Sequence, residues 1–204
     1  MTKQVILIGG MPTAGKSTVA VNLSKHLNLP WISSDQIGII MRTVAEREKN
    51  PTLFTWEDYD GFQYLRKFTA DEIADNEFAK GRAVWSGIRK LIEEDYTWSD
   101  GFIIEGDDIL PYLVARDFSE VSNVKAVFIG DHDIERVRNI VYTRNFVGHD
   151  ASAYPDDVKE KEVTWVLNFA EKLKNQAITH KMPWVDVEKS EHDLAKVLTA
   201  LGLG

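Results

Sequence analysis

One stretch constrains this chain more than any other. Gly10-Met11-Pro12-Thr13-Ala14-Gly15-Lys16-Ser17 matches the pattern G-x-x-x-x-G-K-[ST] at every fixed position. The apolar run Val5-Ile6-Leu7-Ile8 lies just before it, and Val19, Leu23 and Leu27 recur at helical spacing behind it. A strand, a glycine-bounded turn and a helix are the setting in which this pattern, the Walker A motif, forms a phosphate-binding P-loop. Its glycines free the backbone to wrap an anion, since side chains there would block the loop dihedrals and the approach of phosphates to successive N–H groups. Gly10, Thr13, Ala14, Gly15, Lys16, Ser17 and Thr18 are therefore the candidate nucleotide-binding residues. Lys16 brings a point charge to the outer phosphates, and the Ser17 hydroxyl is a candidate Mg²⁺ ligand. The helix expected from about Lys16 to Asn28 turns its positive dipole end toward the anion.

Strand and helix patterns alternate through the rest of the chain. Pro30 to Ser33 reads as a second strand, followed by a helix to about Lys49 that Asn50-Pro51 breaks. Thr55, with Asp58 three positions on, resembles a cap for a helical region from about Trp56 to Lys80, and Ala83 to Tyr96 reads as another helix. Gly101 to Gly106 is a third strand, Val124 to Ile129 a fourth and Trp184 to Val187 a fifth. Helices are expected over Asp133–Asn145, Asp157–Thr179 and Glu191–Leu201. Apolar strands separated by helices imply an α/β fold with a parallel sheet covered on both faces. At 204 residues the chain is expected to form one domain, with a helical substrate-side region at about 50–82 and a lid at about 144–156.

Composition narrows the functional classes. The formal charge of −8 argues against non-specific nucleic-acid binding, while leaving room for a local basic cleft. No cysteine is present, which excludes disulfides, thiolate nucleophiles and cysteine metal sites. The five histidines form no i,i+4 pair of the kind that binds zinc on a helix. Val5–Ile8 is too short for a secretory core, and no apolar stretch approaches the ~20 residues of a membrane span, so a cytoplasmic protein is expected.

Ligands of open parallel sheets bind at the carboxyl ends of the strands, which directs attention to the residues just after strands one, two and three. Asp35, just beyond strand two, can accept the proton of an attacking hydroxyl or hold a metal-bound water; equally, Ser34 or Asp35 can simply cap the next helix. Glu105 ends strand three and can serve Mg²⁺ or the acceptor substrate.

Transfer of a phosphoryl group also needs positive charge on its oxygens. Arg136 and Arg144 are eight residues apart, which places them on one face of the helix after strand four, beside the expected lid. An arginine near a helix C-terminus can instead complement the dipole. Arg42, seven residues after Asp35, shares its helix face and can meet an acceptor; Arg89 can bind an anionic acceptor or lie on the surface. The aromatic group Phe54, Trp56, Tyr59, Phe62 and Tyr64 can floor a pocket or pack an inserted helical region.

The P-loop, the Ser33-Ser34-Asp35 turn and the stretch Ile103-Ile104-Glu105-Gly106-Asp107-Asp108-Ile109-Leu110-Pro111 together resemble the 2-phosphoglycerate kinase-like branch of the small P-loop kinases, relatives of the nucleoside monophosphate kinases. The resemblance implies a P-loop NTPase three-layer sandwich with five strands in the order 2-3-1-4-5. It also implies ATP with Mg²⁺, a mobile lid and a small acceptor phosphorylated on oxygen. Asp107-Asp108 departs from that pattern, and two added carboxylates beside the acceptor point to a neutral or cationic compound. The expected function is an ATP-dependent phosphotransferase acting on a small-molecule hydroxyl. The alternative is a nucleotide-binding sensor without turnover. Asp58-Tyr59-Asp60-Gly61 formally matches the D-x-x-G of GTPase switches, but it ends no apolar strand and no N-K-x-D guanine reader accompanies it.

Overall fold

The computed structural model describes residues 3–144, 153–188, 190 and 192–204. Five strands, β1 (Gln4–Gly10), β2 (Trp31–Ser33), β3 (Gly101–Gly106), β4 (Val124–Gly130) and β5 (Trp184–Asp186), form one sheet. Its order is β2-β3-β1-β4-β5, and every described pairing is parallel. The central strands read as unbroken apolar runs because both faces are covered. Ile6, Leu7, Ile8, Phe102, Ile103, Ile104, Val127, Phe128 and Ile129 are all fully buried.

Eight helices connect and cover the described strands: α1 (Lys16–Leu27), α2 (Ser34–Val44), α3 (Gly61–Lys67), α4 (Ala70–Glu94), α5 (Pro111–Phe118), α6 (Ile134–Thr143), α7 (Asp156–Thr179) and α8 (Asp193–Ala200). α1 packs beside α8, while α7 lies against α3, α4, α5 and α6. No helix among the described residues is long and apolar enough to cross a membrane.

Several helix boundaries differ from the sequence expectation. α2 stops at Val44 rather than near Lys49. The following Glu46-Arg47-Glu48-Lys49 has no apolar face to bury, and it forms a turn closed by Asn50 donating to the Glu46 and Arg47 carbonyls. The helix expected from Trp56 begins only at Gly61, because Asp60 and Gln63 form a full capping box that Thr55 and Asp58 do not. A second box, Thr69 with Glu72, starts α4, which then runs through Gly81-Arg82 as one helix of 25 residues. The backbone is closely approached there: a Cβ on Gly81 would lie 3.0 Å from Leu110 and 3.2 Å from the Asp108 carbonyl. Helix α5, not foreseen, opens on Pro111 at its first turn, where a missing N–H costs nothing.

Most of the lid expected at 144–156 falls in 145–152, outside the described residues.

Candidate active site

The P-loop lies where β1 hands over to α1. Gly15 is the N-cap of α1 with φ of 86°, a left-handed conformation that only glycine adopts without strain, and no side chain caps the helix. The first-turn amides of α1 are thus available to an anion from outside the helix. Lys16 Nζ donates to the Met11 carbonyl at 3.0 Å, bridging the loop.

Two cavities meet at this loop. One, of about 510 Å³, is bounded by Ala14, Gly15, Thr18 and Asn22, with Ile140 and Asp193 opposite. The other, of about 440 Å³, lies at the carboxyl ends of β2 and β3 and is lined by Lys16, Ser17, Asp35, Arg42, Lys80, Glu105 and Arg144, among others. Thr13 lines both. It holds φ of 72°, unusual for a β-branched residue, and its buried hydroxyl has no hydrogen-bond partner among the described residues.

Strand register places the acids. Glu105 pairs in register with Ile8 on one side and Ser33 on the other, which brings it beneath the P-loop. Ser17 Oγ donates to Glu105 Oε1 at 3.2 Å. Burial lifts the Glu105 carboxyl above the ordinary range, against the pull of Lys16 and the Ser17 hydroxyl. A hydroxyl and a buried carboxylate side by side are hard oxygen donors that fit Mg²⁺.

The capping question at α2 resolves in favour of Ser33. Its hydroxyl accepts from the Asp35 amide at 3.3 Å, and Gln36 accepts from the Ser33 amide at 3.2 Å. Asp35 is therefore not needed as a cap, and its side chain, 68% exposed, lines the carboxyl-end cleft. Ser34 turns inward and donates to Asp108 Oδ2 at 2.9 Å.

Lys80 is the residue that sequence reasoning missed. Its Nζ lies within 4 Å of four carboxylates: Glu77 at 3.2 Å, Asp108 at 3.4 Å, Asp107 at 3.6 Å and Asp35 at 3.7 Å. Burial acts to lower the ammonium pKa, but Asp107, Glu77, Asp108 and Asp35 outweigh it and hold Lys80 charged. Burial likewise opposes ionisation of Asp107, yet Lys80 and Lys16 hold that carboxyl below its usual range. Asp108, deeper still, is pushed up to about 7 by burial. The Asp107-Asp108 pair is therefore not two free charges facing an acceptor, and the case for a neutral or cationic acceptor made from those two residues loses its basis. Beside this cluster, Trp56 Nε1 donates to Glu77 at 2.6 Å, and Trp56 and Trp165 also line the cleft.

No known protein-family model matches the chain. The structure superposes on shikimate kinase from Aquifex aeolicus with a TM-score of 0.53 at 20% sequence identity, over 98% of this chain and 96% of that one. The fold is that of the small P-loop kinases. In sequence, the chain is 32% identical to a 2-phosphoglycerate kinase from Methanocaldococcus jannaschii over 149 residues, covering 70% of this chain and 46% of the relative. It is 24% identical to a mevalonate-3-phosphate 5-kinase from Thermoplasma acidophilum over 159 residues, covering 76% of this chain and 77% of the relative. The chain thus spans less than half the length of the first of these relatives.

Within this P-loop kinase fold the expected site residues divide into two sets. Lys16, Ser17, Asp35, Arg42, Glu105 and Arg144 converge on one cleft. Arg42 also pairs with Glu57 at 3.0 Å, and Arg144 pairs with the buried Glu162. Arg89 and Arg136 are not among the cleft's lining residues. Arg89 is half exposed and pairs with Glu93 along α4 at 3.4 Å. Arg136 sits in the first turn of α6, where it donates to Asp131 at 2.6 and 2.7 Å, to Asp133 at 3.2 Å and to the Val187 carbonyl at 3.2 Å. It clamps the end of β4 to the segment after β5. The shared helix face expected for Arg136 and Arg144 does not form, because Arg144 is the C-cap of α6 in extended conformation.

Proposed function

We propose that this chain transfers the γ-phosphoryl group of ATP to a hydroxyl of a small acceptor. The observation that carries this reading is the pair of cavities joined at Thr13, one on the α1 side of the P-loop and one lined by Asp35. A triphosphate lying across the loop reaches from the first into the second. Lys16 and the α1 amides grip its phosphates, and the acceptor binds beside Asp35.

In the transfer, the acceptor oxygen forms a bond to Pγ while the bond from Pγ to the bridging oxygen of ADP breaks. The hydroxyl proton passes to the Asp35 carboxylate and from there to water. Lys16 and Arg144 face the oxygens on which charge develops. Ser17 and Glu105 are the residues that would hold Mg²⁺, which neutralises phosphate charge when bound.

The test is a panel of small hydroxyl compounds, phosphorylated and not, offered with MgATP while ADP is followed. ADP release should require both an acceptor and divalent metal, and should collapse in Asp35→Asn while ATP binding survives. ATP binding with a flat panel would instead make the chain a nucleotide sensor.

A further inference from the structure

The carboxyl-end cleft has an apolar annex. A cavity of about 210 Å³, lined by Trp56, Tyr59, Gly61, Leu65, Tyr154 and Trp165 together with two acids, opens beside it, and Trp56 and Trp165 line both spaces. That volume exceeds the roughly 150 Å³ of an apolar protein cavity able to hold benzene. The walls are held in place. Trp56 stacks on Tyr64 with ring centroids 3.9 Å apart and is tied to Glu77, while Tyr59 packs edge-on against Phe68.

The two acids are already engaged by the protein. The Asp60 carboxylate accepts from the Gln63 amide at 2.8 Å, and Glu162 pairs with Arg144. The Tyr59 hydroxyl accepts from Lys67. Trp165 differs. It is 4% exposed, and its indole N–H is buried without a hydrogen-bond partner among the described residues. That nitrogen has no surface open to either cavity, so what Trp165 offers the annex is the apolar part of its ring.

Resting on the phosphotransfer reading, we propose that the acceptor is a hydroxyl compound with a short hydrocarbon arm. The arm fills the annex among Trp56, Tyr59 and Leu65. The hydroxyl end reaches Asp35. Specificity then lies in the aromatic annex at least as much as in the charged cleft, because the cleft carboxylates are largely engaged by Lys80.

The experiment uses two matched probe pairs, each differing by three carbons in the arm: lactate against 2-hydroxyisocaproate, and 1,2-propanediol against 4-methyl-1,2-pentanediol. Binding to the full chain is followed through ¹⁵N-labelled tryptophan indole signals, with Trp165 assigned by Trp165→Phe. Each buried methylene is worth about fourfold in affinity, so three fully buried carbons are worth about 60-fold, and the arm-bearing member of at least one pair should bind at least about tenfold tighter and shift the Trp165 signal. Gly61→Val, which narrows the annex, should reduce that preference. Equal or absent binding within both pairs, or a preference that leaves the Trp165 signal unmoved, overturns the proposal. ADP release measured in the same samples separates the two claims. Turnover indifferent to the arm keeps phosphotransfer and sinks the annex, whereas an arm preference in binding with no ADP from any probe does the reverse.

Discussion

Lys80 Nζ stands 3.7 Å from the Asp35 carboxylate, on a helix that starts 35 residues after it. The same ammonium also faces Glu77, Asp107 and Asp108, so the acid proposed to receive the hydroxyl proton belongs to a charge cluster built around one lysine. Replacing Lys80 by Met should destabilise the protein by about 3–5 kcal/mol at pH 7, the usual cost of removing one partner from buried ion pairs. Urea unfolding measures it. The loss should shrink at pH 5, where the raised pKa of Glu77 and Asp108 lets them take up protons instead.

Asp108 sets a pH dependence of its own. Burial raises its carboxyl from 3.8 to about 7, so the folded state binds a proton that the unfolded chain has already released at intermediate pH. The associated stability is fully present below about pH 4 and is lost as pH rises through 7. Its size is at most about 4 kcal/mol, from a shift of roughly three units. Asp108→Asn should flatten stability between pH 4 and 7 in thermal melts, since an amide oxygen still accepts from Ser34. A slope unchanged by the substitution would assign the effect to other groups.

How much of the fold and site was legible in the sequence depends on how local the signal was. The P-loop and the convergence of Asp35 and Glu105 follow from residues at the ends of apolar runs, which sequence displays directly, whereas the strand order came only with the family resemblance. Lys80 was hidden because its four partners come from α2, α4 and the turn after β3, which no spacing rule connects. One clue was present: Glu77 lies on the same buried stripe as Ile73, Ala74 and Gly81, and a carboxylate there requires a cation nearby. Trp165 gave no such clue, because a tryptophan on a buried helix face looks the same whether or not its N–H has a partner. The paired-arginine expectation failed at a helix end, where α6 stops just before Arg144 and the helical period no longer applies.

The two arginines of that expectation should separate in turnover. Arg136→Ala removes the cation from the buried Asp131 and should cost about 2 kcal/mol of stability, with turnover of the remaining folded protein changed little. Arg144→Ala removes a cation from the buried Glu162 and should also cost stability, but in addition it should lower kcat by about 10²–10³-fold, as expected for loss of a group that meets developing charge. Chemical denaturation and steady-state kinetics on both variants give the comparison.

Thr13→Gly should stabilise the nucleotide-free protein by roughly 1 kcal/mol. A left-handed conformation costs a β-branched residue about 1–2 kcal/mol, and the buried hydroxyl adds to that, while glycine gives back about 0.5–1 kcal/mol in chain entropy. A fall in melting temperature would show that the threonine side chain contributes packing that outweighs its strain.

The central claim is that a triphosphate held at the P-loop passes its terminal phosphoryl group to a hydroxyl beside Asp35. It is met most directly by ³¹P NMR of the protein with MgATP and the acceptor panel. With at least one compound, the γ-phosphate signal of ATP should give way to a phosphomonoester signal growing in step with ADP. Bound ATP that stays intact with every acceptor, or yields only inorganic phosphate, would contradict that claim.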